Sequence, residues 1–254
     1  MLKISVITAV HNNCETISAA LDSVLGQSGV DIELVVIDGG STDGTLEVLR
    51  SYADRLHVLV SEPDQGIYDA LNKGIRRASG EVVGFLHSDD LFADSDVLSR
   101  IAAAFADPGV GAVYGDLLYV RKDNPDQVVR YWRSGEFSGR RLGWGWMPPH
   151  PTLYVRRHVY EQHGLFDTSF RIAADYESVL RILGRGGAKP AYLPHVLVRM
   201  RLGGVSNRSL RSMLLKSRED YAAMRLNGIG GVNTLVRKNL AKLPQFLKRV
   251  PVVQ

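Results

Sequence analysis

Over the first 120 residues, short apolar, β-branched runs alternate with segments of helical periodicity, and few folds accept that pattern. Residues 4–10 (ISVITAV), 32–38 (IELVVID), 57–60, 82–86 and 112–120 read as strands, the longer ones apolar enough to be covered on both faces. Between them, residues 17–25, 45–52, 67–78 and 97–105 carry apolar side chains at three- and four-residue spacing, with Asn13 available to cap the first helix. This repetition predicts an α/β fold, a mainly parallel sheet flanked by helices. A chain of 254 residues accommodates one large domain of this kind, or about 200 residues plus an appendage.

In open sheets of this class ligands sit beyond the carboxyl ends of the strands, and here those ends are polar. The first strand runs into His11, Asn12 and Asn13, the second into Asp38 and the turn GGSTDG, and the fourth into His87, Ser88, Asp89 and Asp90. Two adjacent aspartates raise each other's pKa unless a cation lies between them, and oxygen ligands of this type suit Mg2+ or Mn2+. The same pair also fits a helix cap. Asp38 has two readings as well. It either closes an Asx-turn or accepts the N3–H of uracil or thymine, a donor that cytosine lacks.

Beyond residue 120 the alternation breaks into a polar, tryptophan-bearing stretch with Trp144, Trp146 and the segment MPPHP, after which residues 173–183 read as a helix. Residues 209–226 and 232–250 read as two more helices, the second interrupted by Pro244. Charge divides the chain unevenly. Residues 199–254 hold twelve Lys and Arg against Glu219 and Asp220, whereas the rest holds 19 basic against 25 acidic residues. A basic tail on an acidic body points to an anionic partner surface, lipid or nucleic acid. No apolar run approaches the roughly 18 to 20 residues of a membrane span, no signal-peptide layout opens the sequence, and Cys14 is the lone cysteine. These features suit a cytoplasmic protein.

The turn after the first strand, HNNCET, carries neither G-x-G-x-x-G nor a basic residue, which argues against a dehydrogenase and a sugar-1-phosphate nucleotidyltransferase. A non-catalytic carbohydrate- or nucleic-acid-binding protein would account for the tail and the tryptophans but not for carboxylates at neighbouring strand ends.

Four segments, TAVHNN, VIDGGSTDGT, DQGIYDALNKGI and GFLHSDD, together resemble the family-two glycosyltransferases of GT-A fold, and HPTLYVRR and AADYE are similar to that family's acceptor half. The resemblance implies a Rossmann-like GT-A domain over residues 1–205, with a nucleotide-sugar half (1–120) and an acceptor half (121–205), followed by a basic helical extension over 206–254. It implies inverting, Mn2+- or Mg2+-assisted transfer of a hexose or N-acetylhexosamine from a UDP-sugar, or a dTDP-sugar, to a lipid-linked saccharide or glycolipid. No nucleic-acid partner is expected.

Transferred position by position, Thr8, Val10 and Asn12 line the nucleotide pocket, Asp38 meets the base, and Asp69, Asn72 and Lys73 border the ribose and phosphates. For Asp69 and Lys73 a surface i,i+4 ion pair is the other reading. Asp89 contacts ribose or sugar, Asp90 binds the metal, and Asp175 in AADYE is the general base, with Glu177 behind it. His150 reads either as a diphosphate or acceptor contact or as a structural histidine. Arg201, Ser206 and Arg208 lie on a glycine-bearing loop that reads as a lid over the diphosphate or as plain surface. His11 stands where the family more often has tyrosine. Trp144 and Trp146 stack on sugars, dip into a membrane interface or pack internally. The final helix, basic and amphipathic, either lies on anionic lipid at the inner face of the plasma membrane or packs on the body.

Overall fold

The computed structural model describes residues 1–203 and 210–240. Its nucleotide half follows the alternation closely: β1 Lys3–Val10, α1 Ile17–Leu25, β2 Asp31–Asp38, α2 Thr45–Ser51, β3 Val58–Ser61, α3 Ile67–Arg77 and β4 Val82–Phe85. These four strands are parallel, in the order β3-β2-β1-β4. Successive residues of β1 face opposite sides. Ile4, Val6 and Val10 join α1 and the later α4 (Val97–Ala104) in one core layer, while Ile7 and Ala9 pack with Ala70, Leu71 and Ile75 of α3 in the other. Gly74 lets α3 lie directly on β1, since a Cβ there would overlap Ile7.

Past β4 the parallel pattern does not continue. β5 Leu91–Phe92 and β6 Ala112–Val120, the latter with the bounds the sequence predicts, complete the first half, and β7 Val128–Trp132, β8 Tyr154–Arg156 and β9 Pro190–Arg201 belong to the second. β8 runs antiparallel between β4 and β6, β9 runs parallel to β6, and β5 and β7 add antiparallel edges. The mainly parallel sheet of the sequence reading therefore holds for β1 to β4, and a mixed sheet completes it. The helices here are α5 Gly139–Gly143, α6 Arg157–His163 and α7 Ala174–Val179, the last continued by π-helical turns over Leu180–Arg185.

α8 (Leu210–Asn227) and α9 (Val232–Leu240) close the described chain. Ala223 and Met224 of α8 are fully buried in the same layer as α7, so α8 belongs to the body of the acceptor half. Residues 241–250 of the expected last helix lie outside the described residues. No helix among the described residues is long and apolar enough to cross a membrane.

One buried carboxylate at the opposite end of the strands is structural. Burial works to raise the pKa of Glu33, but hydrogen bonds from Ser5, Ser79 and Lys3 prevail and hold it at about 2.

Candidate active site

The loops after β1, β2 and β4 are stitched into one rim. Asn12 adopts a left-handed φ of 49°, which asparagine tolerates, and this turns its backbone N–H onto Ser41 Oγ at 2.8 Å. Its side-chain oxygen accepts from Thr42 N at 2.8 Å. Asn13 N and Cys14 N donate to Thr45 Oγ1 and Asp43 Oδ2. Asn13 Nδ2 donates to Ser88 Oγ at 2.9 Å. Asn13 is thus a bridge between strand ends rather than the cap of α1, whose first turn carries no side-chain cap.

The Asp89-Asp90 pair follows β4. Asp90 is 1 % exposed; its Oδ1 accepts from Arg201 N at 3.2 Å, whereas Oδ2 is buried with no partner among the described residues. Burial, then the neighbouring Asp89 charge, push the Asp90 pKa well above the ordinary carboxylate value. A buried oxygen of this kind is costly unless a ligand completes it. No three His, Cys, Asp or Glu side chains converge among the described residues, so a cation at Asp90 would take most of its ligands from a nucleotide and water.

Asp175 stands at the start of α7, and its charge acts on His87 and His150. Tyr68 OH reaches its Oδ1 at 3.3 Å while donating to Ile172 O at 2.8 Å, and Tyr176 N donates to the same carboxylate oxygen at 2.8 Å. The rings of His87 and His150 lie with centroids 5.9 Å apart. Burial lowers the His87 pKa against the pull of Asp89 and Asp175, so both carboxylates act on one imidazole. His150, stacked on Phe85 at 5.2 Å, is held down at about 4, again by burial. His87 Nδ1 and His150 Nε2 have no partner among the described residues. Two neutral, unsatisfied imidazoles can accept or donate a hydrogen bond to a ligand.

Several expected contacts have other partners. Asp38 is fully buried, its carboxylate bonded to Ser41 N and Oγ and to Ser61 Oγ, which forms the Asx-turn. Asn72 is 3 % exposed and exchanges two hydrogen bonds with the backbone of Phe166, at 2.8 and 2.9 Å, so it ties α3 to the acceptor half. Lys73 pairs with Glu62 and Asp69 and donates to Pro63 O, the surface ion-pair reading. Thr8 and Val10 are buried below the rim, Thr8 Oγ1 having no partner among the described residues. Glu177 is neutralised by Arg181 at 2.9 Å, which leaves Asp175 as the carboxylate facing the site. Trp146 is internal, its indole N–H bonded to Ser134 O. Arg201 turns its guanidinium onto the Asp89 carbonyl at 2.6 Å, bracing the pair. Ser206 and Arg208 lie outside the described residues. His87 and Tyr68 carried no assigned role in the sequence reading. Position after a strand marked His87; nothing local marked Tyr68, whose partners are over 100 residues away.

The model of glycosyl transferase family 2 matches residues 5–171, which include both carboxylates of the pair and both histidines. The chain belongs to glycosyl transferase family 2. This family-2 glycosyltransferase is 32% identical over 218 residues to a PGL/p-HBAD biosynthesis glycosyltransferase of Mycobacterium bovis, spanning 84% of this chain and 82% of that one. An uncharacterized glycosyltransferase of Mycobacterium tuberculosis is 35% identical over 180 residues, 70% of this chain and 68% of its own length. The fold is GT-A. Staphylococcus aureus TarS 1-349 in complex with UDP superposes with a TM-score of 0.66 at 20% identity, over 90% of this chain and 65% of that one. This chain covers 39% of the longer S. aureus TarS chain. The Pyrobaculum calidifontis mannosyltransferase PcManGT, in complex with GDP-Man and Mn2+, gives a TM-score of 0.62 at 22% identity over 98% and 76%.

Proposed function

We propose that this glycosyltransferase moves a hexose or N-acetylhexosamine from a UDP-sugar, or a dTDP-sugar, to a hydroxyl of a lipid-linked saccharide or glycolipid, with inversion. The observation that carries the reading is Asp175, held by Tyr68 and the Tyr176 N–H and acting, as Asp89 does, on His87. One carboxylate is placed for proton removal and a separate pair for the donor. Asp175 takes the proton of the acceptor hydroxyl as its oxygen attacks the anomeric carbon. The bond from that carbon to the diphosphate breaks on the opposite face, and its electron pair leaves with the nucleoside diphosphate. Inversion follows from a single displacement.

Asp90 Oδ2, the buried oxygen with no partner, fits a divalent cation, Mn2+ or Mg2+, with Asp89 beside it toward the ribose or sugar. Such a cation supplies charge compensation for the departing diphosphate. His150 and His87 are placed to bond to the diphosphate or the acceptor hydroxyl, and Arg201 acts by holding the pair. Asp38 selects the base through residues 39–41, which its carboxylate anchors. Support for the donor class comes from TarS, solved with UDP and with UDP-GlcNAc, and for the cation from PcManGT with Mn2+. An acceptor carried on lipid would put the enzyme to work at a membrane surface.

The test is a screen of UDP- and dTDP-sugars for Mn2+-dependent turnover with lipid-extracted acceptors. One donor should turn over with wild type and fail with Asp175→Asn, although Asp175→Asn still binds UDP. Turnover by Asp175→Asn at the wild-type rate would remove the assigned base.

A further inference from the structure

α9 buries two polar side chains, Thr234 and Lys238, alongside Leu235. Thr234 Oγ1 donates to Gly143 O at 2.8 Å, and Lys238 Nζ donates to Asp220 Oδ1 at 2.8 Å while lying 3.0 Å from the Tyr176 ring centroid. Both residues are more than nine-tenths buried. Val232 and Val236, one turn apart, are left on the outer face at 62 % and 50 % exposed. Next to that face stands Trp144, 51 % exposed, with the guanidinium carbons of Arg237 and Arg140 at 5.6 and 5.8 Å from its ring centroid. A helix that only covers the body keeps its valines in; this one packs Leu235 and Lys238 inward and leaves Val232 and Val236 outside.

We propose that the face formed by Trp144, Val232 and Val236, rimmed by Arg140 and Arg237, docks on an anionic lipid bilayer. A half-exposed tryptophan and aliphatic side chains ringed by arginine is the composition of an interfacial anchor: the apolar groups enter the headgroup layer and the cations stay with the phosphates. Charge decides among the possible occupants. After Asp220 the sequence holds no acidic residue, and residues 241–254 add Lys242, Lys248 and Arg249. That stretch shares the sign of Arg140 and Arg237 and does not complement them, and the same face of a second copy would bring the same charges; anionic lipid complements both.

The location suits a lipid-borne acceptor, and to that extent the proposal deepens the function proposed above. Trp144 precedes His150 by six residues, a reach of at most about 22 Å. On its inner side α9 touches Tyr176, the neighbour of Asp175, through Lys238. The bilayer would therefore meet the enzyme beside the base.

The test is co-sedimentation of the full chain, without donor, with phosphatidylcholine vesicles and with vesicles containing about a third phosphatidylglycerol. Wild type should sediment with the anionic vesicles, and brominated lipid should quench its tryptophan emission, a signal lost in Trp144→Phe. Val232→Ser with Val236→Ser, and separately Arg140→Gln with Arg237→Gln, should each weaken vesicle binding about tenfold. UDP calorimetry on the same variants should be unchanged, which shows that they are folded and separates this result from the donor reading. A loss of less than threefold in both double variants overturns the proposal. So does binding that appears only after residues 241–254 are removed, which makes the tail the occupant. A dimer of the full chain that these substitutions disperse overturns it in favour of a second copy.

Discussion

The backbone N–H of Arg201 donates to Asp90 Oδ1 at 3.2 Å while its guanidinium reaches the Asp89 carbonyl at 2.6 Å. The last residue of β9 thus braces the Asp90 carboxylate and the Asp89 backbone in the loop after β4, from the other part of the sheet. Arg201→Ala keeps the backbone bond and loses the second. Its kcat/KM for donor should fall about ten- to hundredfold, the range for groups that orient a ligand. Arg201→Lys should recover little, since a single ammonium does not reproduce the guanidinium fork. Steady-state kinetics with varied donor check this.

Tyr68 OH is shared between Asp175 and Ile172 O, so Tyr68→Phe removes an orienting bond from the base without touching the donor side. Expected is a fall in kcat of about tenfold with the KM for donor unchanged. Asp175→Asn should cost about 100- to 10,000-fold in kcat, the usual worth of a general base.

The nucleotide half was legible because each strand is a compact apolar run that ends where its pairing ends, and a local pattern suffices to see that. The rest of the sheet was less so. β5 and β8 hold two and three residues, and β9 carries Pro190, Pro194, His195 and Arg199, so no period-two signal survives in them. The helix start at Asp175 was readable, and α7 has it in its first turn. The role of Asn72 was hidden because its partner, Phe166, is 94 residues away. The inward turn of Lys238 was hidden for the same reason: Asp220 and Tyr176, which draw it inward, belong to other helices.

Glu219 accepts from Arg171, Ile172 and Ala173 N–H groups at 2.8 to 3.0 Å and so fixes the segment that leads into α7. Glu219→Gln leaves one acceptor oxygen for three donors. It should cost about 2 to 4 kcal/mol of stability by urea unfolding and lower kcat through a misplaced Asp175. Stability within about 0.5 kcal/mol of wild type would show that these bonds carry no net weight.

His150 is held at about 4 in the folded protein against about 6.5 in an unfolded chain, and His87 is shifted the same way. Below pH 6.5 the unfolded state therefore binds more protons, and folding weakens as pH falls toward 4. The expected slope is up to about 1.4 kcal/mol per pH unit for each histidine. Urea titrations from pH 7 to 4.5 should show it, and His150→Asn should flatten the curve. An identical curve for that variant would mean that His150 is not buried neutral.

The most direct test of the site is calorimetric titration of UDP into the protein with Mn2+ and with EDTA, for wild type and Asp90→Asn. Wild type should bind UDP with Mn2+ and at least about tenfold more weakly with EDTA, and Asp90→Asn should bind weakly in both. Equal affinity with and without the cation, or an Asp90→Asn variant that retains the full Mn2+ dependence, would contradict the assignment of Asp90 as the metal-bearing carboxylate.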